Sequence, residues 1–243
     1  MSALSARWWG SRSANPSAAL ESASCQTGCV NRRRQRLADA HLYLVCGDQP
    51  DAFLDAALRG GVDVVQLRVK DAQPAAIEAT ARRFRARCRD HGALFIVNDH
   101  PQLAADVDAD GAHLGQDDLA IAEARRIVGP QRLLGLSTHS PEQIDVADAE
   151  ADYIGVGPVN ETPTKPGRPA VGLELVRYAA RHAAVPFFAI GGISPANAGA
   201  VRKAGAGRIA VVRALTEAGD PEHTARVLRK LVTAEEEAPV GAA

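Results

Sequence analysis

Residues 94–119 read LFIVNDHPQLAADVDADGAHLGQDDL, and this stretch decides the fold. Leu94–Asn98 is a short run of Leu, Phe, Ile and Val without polar alternation, the pattern of a strand buried on both faces. Pro101 stands where a first helical turn tolerates a residue lacking an N–H, and opens an amphipathic stretch that ends at Val107. Gly111–Leu114 is a second apolar run, and a second helical pattern, Leu119–Val128, follows it. Strand, helix, strand in this order is the parallel βαβ unit, because a crossover must return the chain to the end where the first strand began.

The same unit repeats outward in both directions. Apolar runs recur at His41–Cys46, Val62–Arg68, Leu133–Ser137, Asp152–Val156, Phe187–Ile190 and Arg208–Val212. Helical patterns lie between and after them at Pro50–Arg59, Pro74–His91, Pro141–Ala149, Gly172–His182, Pro195–Ala204 and Asp220–Ala234. Eight strands alternating with eight helices predict an α/β fold, a single-domain (β/α)8 TIM barrel, with a doubly wound open sheet as the alternative.

Composition sets the outer bounds. Of 243 residues, 46% are apolar and 23% charged, which excludes a wholly disordered chain. The 28 basic and 29 acidic residues nearly cancel, so no basic excess favours nucleic acid as a partner. Aromatics are only 4%, so the core must be built from Ala, Val, Leu and Ile. The charge is unevenly spread: Arg7, Arg12, Arg32, Arg33, Arg34 and Arg36 face only Glu21 and Asp39 in a serine-rich opening without apolar period. The expected organisation is a disordered basic leader over 1–39, the catalytic barrel over 40–236 and a disordered tail over 237–243. A transit peptide and an upstream start would read the same way as the leader. No apolar run approaches the roughly 18 residues of a membrane span. Cys25, Cys29, Cys46 and Cys88 fit no zinc spacing and read as free thiols of a reducing cytoplasm.

A barrel carries its chemistry where its strands end. There the sequence offers Gln66, Arg68 and Lys70 in alternation, with Lys165 in a long loop spanning Pro158–Val171 that has the length of a closing lid. Uncompensated cations on one rim call for a highly charged anion such as pyrophosphate. Asp99 and Asp118, from neighbouring strand ends, suit Mg²⁺ shared with phosphate oxygens, although each also suits a helix cap. Gly191-Gly192, followed after the next strand by Val212-Arg213, matches the position where barrels hold a phosphate. Ser137 and His139 are spaced to share a face, and His113 reads as a packed core histidine rather than a base.

Taken together, Gln66-Leu67-Arg68-Val69-Lys70, Asn98-Asp99, His113-Leu114-Gly115-Gln116-Asp117-Asp118, Ser137-Thr138-His139, Gly155-Val156-Gly157-Pro158, Thr162-Pro163-Thr164-Lys165-Pro166 and Ala189-Ile190-Gly191-Gly192-Ile193 resemble the thiamine-phosphate synthase family from about residue 40 to residue 233. The resemblance implies a transferase of thiamine biosynthesis. Such an enzyme joins a hydroxymethylpyrimidine diphosphate to a hydroxyethylthiazole phosphate by Mg²⁺-assisted dissociative substitution and releases pyrophosphate. It further implies that Arg68, Lys70, Asn98 and Lys165 hold the diphosphate, that Gln66 lies near the pyrimidine, and that Ser137 lies by the reacting centre. Leu67 and Val69 belong to the same binding segment. By the same resemblance Asp99 and Asp118 hold Mg²⁺, while Thr162, Pro163, Thr164, Gly192, Val212 and Arg213 line the thiazole phosphate site. Small-molecule substrates, no nucleic acid, no membrane and a cytoplasmic location follow, and homo-oligomerisation stays open. A thiazole tautomerase-like relative and a non-catalytic thiamine-phosphate sensor on the same barrel are the alternatives. Two positions depart from the family pattern: Asn160-Glu161, where an aromatic is usual, and His100, where Arg is usual.

Overall fold

The structure, a computed structural model, describes residues 32–69, 73–147, 151–162 and 169–234. Eight parallel strands close into a barrel in sequence order: β1 (Leu42–Cys46), β2 (Val64–Leu67), β3 (Leu94–Asn98), β4 (Gly111–Leu114), β5 (Leu133–Thr138), β6 (Tyr153–Val156), β7 (Phe187–Ile190) and β8 (Ile209–Val211). The ring closes where β1 pairs with β8, Tyr43 opposite Ala210. This is the expected TIM barrel and not the open sheet.

A helix over residues 32–38, α1, precedes the barrel. Then come α2 (Asp51–Arg59), α3 (Pro74–Asp90), α4 (Pro101–Asp106), α5 (Ile121–Val128), α6 (Pro141–Ala147), α7 (Gly172–His182), α8 (Ala198–Lys203), α9 (Arg213–Thr216) and α10 (Pro221–Thr233). Pro74, Pro101 and Pro221 do occupy first turns, and Asp220 caps α10 by accepting from the His223 N–H at 2.9 Å. The helix expected over Pro195–Ala204 starts only at Ala198. Asn197 holds the preceding residues in a turn, its Oδ1 accepting from the Ser194 N–H at 2.8 Å and its Nδ2 donating to the Gly192 carbonyl at 2.8 Å.

The leader was expected to run through residue 39, but its last part is structured. Leu37 in α1 is 2% exposed and packs into the barrel interior with Tyr43, Val64, Leu94 and Leu133. That burial contributes about 1.5–3 kcal/mol. Arg33 pairs with Asp110 at 3.1 Å and Arg34 with Asp152 at 2.7 Å. Two of the arginines that made the segment look like a solvated tail, Arg33 and Arg34, are thus ion-paired partners of acids far along the chain, and Arg36 donates to the Gly92 carbonyl at 2.6 Å. Residues 1–31 and 235–243 lie outside the described residues.

Alternate residues of each strand serve two cores. One set faces the helices, where Leu42, Leu44, Val65, Leu67, Phe95 and Val97 pack against Leu54, Phe84, Ala104 and Leu228. The other set fills the barrel itself with Tyr43, Val45, Val64, Ile96, Tyr153 and Phe188. Small residues make room there: a Cβ on Gly135 would lie 2.2 Å from Cζ of Tyr153. Among the described residues no helix is long and apolar enough to cross a membrane. Cys46 and Cys88 are free and buried.

Candidate active site

A cavity of about 410 Å³ opens at the end of the barrel where the strands finish. Its floor is aromatic. Phe188 meets Tyr43 edge-on at 5.1 Å between centroids and Tyr153 edge-on at 5.9 Å. Above the floor, the residues that end inward-facing strand positions line the walls: Gln66, Arg68, Asn98, His113, Ser137 and His139 on one side, Gly191, Gly192, Val212 and Arg213 on the other. Asn98 on β3 and the glycines after β7 stand four strands apart in a ring of eight, so the cavity has two separated polar walls.

Arg68 lines the cavity and forms no salt bridge among the described residues. Lys70 and Lys165, expected beside it, lie outside the described residues, as do Pro163 and Thr164. Thr162 lines the cavity. Leu67 and Val69, expected in the binding segment, have their side chains in the helix-facing core instead. The strand period of two sends Gln66 and Arg68 inward and their neighbours outward, so sequence adjacency to a binding residue does not place a side chain in the cavity.

Asp99 and Asp118 are brought together at the rim, beyond the residues that line the cavity. Asp99 has a left-handed backbone, φ 60°, a conformation that costs an L-residue energy and recurs at functional positions. Its N–H donates to the His113 carbonyl at 2.9 Å, which fixes the turn off β3. Asp118 accepts from the Gly115 N–H at 2.6 Å; a Cβ on Gly115 would lie 2.9 Å from that carboxylate. Burial, and then the hydrogen bond and negative charge of Asp118, push the Asp99 carboxyl up to about 6, with Arg68 pulling the other way. Two facing carboxylates, with Asp118 disfavouring the ionisation of Asp99, are a donor set that a divalent cation suits. Among the described residues no third His, Cys, Asp or Glu joins them. That fits Mg²⁺, which takes one or two carboxylates and completes its shell with water and substrate phosphate.

The opposite wall is built on backbone. Gly191 and Gly192 have φ 110° and 59°. A Cβ on Gly191 would sit 2.5 Å from Cα of Pro158, so the strand exit closes against the next loop only without a side chain. Asn160, the departure from the family pattern, strengthens this wall: its N–H donates to the Gly191 carbonyl at 3.1 Å and its Nδ2 to the Gly192 carbonyl at 3.4 Å. Arg213 opens α9 at the cavity edge with Glu217 4.0 Å away.

Ser137 and His139 both line the cavity, as their spacing predicted. His139 Nδ1 donates to the Gly157 carbonyl. His113 is 9% exposed, as expected of a core histidine, yet it also faces the cavity, with Nε2 3.0 Å from Ser137 Oγ. Sequence reasoning missed Tyr43, Tyr153 and Phe188 as cavity residues. The signal was available: the chain has 3 tyrosines, and two of them fall within strand runs at inward positions.

The profile of the family described as thiamine monophosphate synthase matches residues 42–215. The thiamine-phosphate synthase of Synechocystis sp. is 50% identical over 201 residues, covering 81% of this chain and 59% of its own. That of Gloeobacter violaceus is 52% identical over 194 residues, covering 79% of this chain and 57% of its own. The chain thus spans less than two thirds of the length of these curated relatives. Among solved structures, thiamine phosphate pyrophosphorylase from Pyrococcus furiosus aligns with a TM-score of 0.74 and 34% identity over 82% of this chain and 96% of that one. A 3-hexulose-6-phosphate synthase, at 20% identity and a TM-score of 0.56 over 78% of this chain and 98% of that one, shares the fold alone.

Proposed function

Because the chain belongs to the thiamine monophosphate synthase family, we propose that it is a transferase joining an aminopyrimidine methyl diphosphate to a hydroxyethylthiazole phosphate, with release of pyrophosphate. The C–O bond between the pyrimidine methylene and the diphosphate breaks, its electron pair leaves with pyrophosphate, and the thiazole nitrogen forms the new C–N bond. The single observation that carries this reading is the cavity's two separated polar walls over one aromatic floor, which suits two flat heterocycles each bearing its own phosphate.

Arg68 and Asn98, with Lys70 and Lys165, would hold the diphosphate. Fixed cations favour the departing pyrophosphate over the intact diphosphate, because negative charge grows on it as the bond breaks. Asp99 and Asp118 would hold magnesium; when bound, the ion neutralises charge on the diphosphate oxygens. Gly192, Val212, Arg213, Thr162 and Thr164 would seat the thiazole phosphate and thereby aim the ring nitrogen at the methylene carbon. Gln66 would lie beside the pyrimidine, and Ser137 beside the reacting centre. The aromatic floor excludes water that would otherwise capture the carbocation. Among the described residues no helix offers a membrane span; cytoplasmic location is part of the same proposal.

The test is pyrophosphate release from the two substrates together. Release is expected only with both present and Mg²⁺ supplied, with thiamine phosphate forming in equal amount. Asp99→Ala is expected to lose most of kcat at saturating Mg²⁺. A thiazole tautomerase or a sensor would give no pyrophosphate, and that result sinks the proposal.

A further inference from the structure

Five polar side chains from five different strands are joined in one line through the middle of the barrel. Gln66 Nε2 donates to the Tyr43 hydroxyl at 2.8 Å. The Tyr43 and Tyr153 hydroxyls are 2.9 Å apart. The Tyr153 hydroxyl is 3.2 Å from His113 Nδ1, and His113 Nε2 is 3.0 Å from Ser137 Oγ. Buried polar chains are costly unless every member is satisfied, and an apolar core would fill the same volume without that demand.

Counting protons gives the line a direction. An amide nitrogen only donates, so Tyr43 is an acceptor toward Gln66; because a buried hydroxyl proton needs an acceptor, its own proton goes to Tyr153. Tyr153, accepting there, sends its proton to His113 Nδ1, which must then be the bare nitrogen of a neutral ring. The ring proton sits on Nε2 and points at Ser137 Oγ. Ser137 is left with a hydroxyl proton and a cavity to point it into. Burial pushes both phenols well above their ordinary range, so each keeps the proton this count assigns it. The neighbouring strand is cut to fit: a Cβ on Gly135 would lie 2.4 Å from His113 Nδ1 and 2.5 Å from the Tyr153 hydroxyl, at the junction where tyrosine meets histidine.

We propose that Tyr43, Tyr153 and His113 are positioning residues, forming with Gln66 a one-way hydrogen-bond relay that fixes His113 as its neutral Nε2-protonated tautomer and makes Ser137 a hydrogen-bond donor to the bound substrate. Ser137 then selects an unprotonated nitrogen or an oxygen at that point and rejects an N–H. The tautomer follows from the core alone; only its catalytic consequence rests on the reaction proposed above.

The relay is read directly by nitrogen–proton correlation NMR on the full-length protein with ¹⁵N-labelled histidine, His113 being identified by the signals lost in His113→Asn. The expected pattern is a neutral ring protonated at Nε2. Gln66→Glu replaces the donor with an acceptor, and the expected result is reversal of every bond, with the proton moved to Nδ1. Tyr153→Phe keeps the ring and removes the link; His113 is expected to become a mixture of tautomers, and kcat to fall about tenfold, the equivalent of one hydrogen bond, with KM little changed. A wild-type His113 protonated at Nδ1 overturns the relay, as does a charged imidazolium at neutral pH, and the wild-type spectrum decides this even if a variant fails to fold. Unchanged tautomer and turnover in Tyr153→Phe also overturn it. A correct tautomer in a protein that releases no pyrophosphate would instead overturn the reaction and leave the relay standing.

Discussion

The two ends of the barrel use charge in opposite ways. Where the strands begin, Asp63, Asp110 and Asp152 stand just before β2, β4 and β6 and do the same double task. Each accepts from a backbone N–H at the start of the preceding strand: Leu42 at 3.0 Å, Phe95 at 3.0 Å and Leu134 at 2.8 Å. Each also pairs with arginine: Asp63 with Arg229, Asp110 with Arg33, Asp152 with Arg34 and Arg125. The fourth equivalent place, before β8, holds Arg208, whose Nη2 donates to the Ala38 carbonyl at 2.7 Å behind α1. Where the strands finish, Arg68 has no ion pair among the described residues, Asp99 is held in a left-handed conformation against a second carboxylate, and Arg213 reaches its acid only at 4.0 Å. The paired charges at the strand starts brace the chain, whereas at the strand ends Arg68 faces the cavity with no salt bridge among the described residues.

The comparison can be broken at three points. The largest effect is expected from Asp110→Ala. It strands Arg33 and the Phe95 N–H behind a carboxylate whose side chain is only 4% exposed, and denaturant unfolding should show a loss of about 3 kcal/mol or more. Turnover of the folded fraction should stay near wild type, so a selective loss of activity would contradict the division. Arg68→Ala should do the reverse. Its pyrophosphate release should fall by about 10²–10³-fold, as for loss of one preorganised charge contact, while its unfolding midpoint stays unchanged or rises. A destabilised Arg68→Ala with ordinary kinetics would mean that the cation is structural. The smallest effect belongs to Arg34→Ala. Its side chain is 42% exposed and Asp152 keeps Arg125, so thermal unfolding should register less than about 1 kcal/mol. A larger loss would show that α1 is a stronger brace of the barrel than its ion pairs suggest.

The fold was legible because its cause is local and repeated. Each strand is a short run of apolar residues and each helix an amphipathic stretch, several opening on proline, so the alternation can be counted without knowing any contact. The site was legible only where chain position fixes direction, at strand ends that point into the mouth of a barrel. The side-chain directions of Leu67 and Val69 were not legible in the same way, because adjacency along a strand reverses the side chain's face. Residues 32–38 failed for a different reason: arginines read as uncompensated until Asp110 and Asp152, far along the chain, close against them. Asn160 looked like a gap in the pattern and turned out to donate across to β7's exit.

Sequence alone determined that this chain alternates eight strands with helical stretches, that candidate cations and carboxylates stand just after several of those strands, and that seven ordered segments resemble one family. Only the tertiary structure decided which charges are paired, which tyrosines face inward, and that Gln66, Tyr43, Tyr153, His113 and Ser137 form one line. The physical reason is range. Periodicity and turn chemistry act over a few residues and leave their mark in the string of letters. A hydrogen bond between Tyr43 and Tyr153 depends on the register of strands 110 residues apart, which no local pattern encodes.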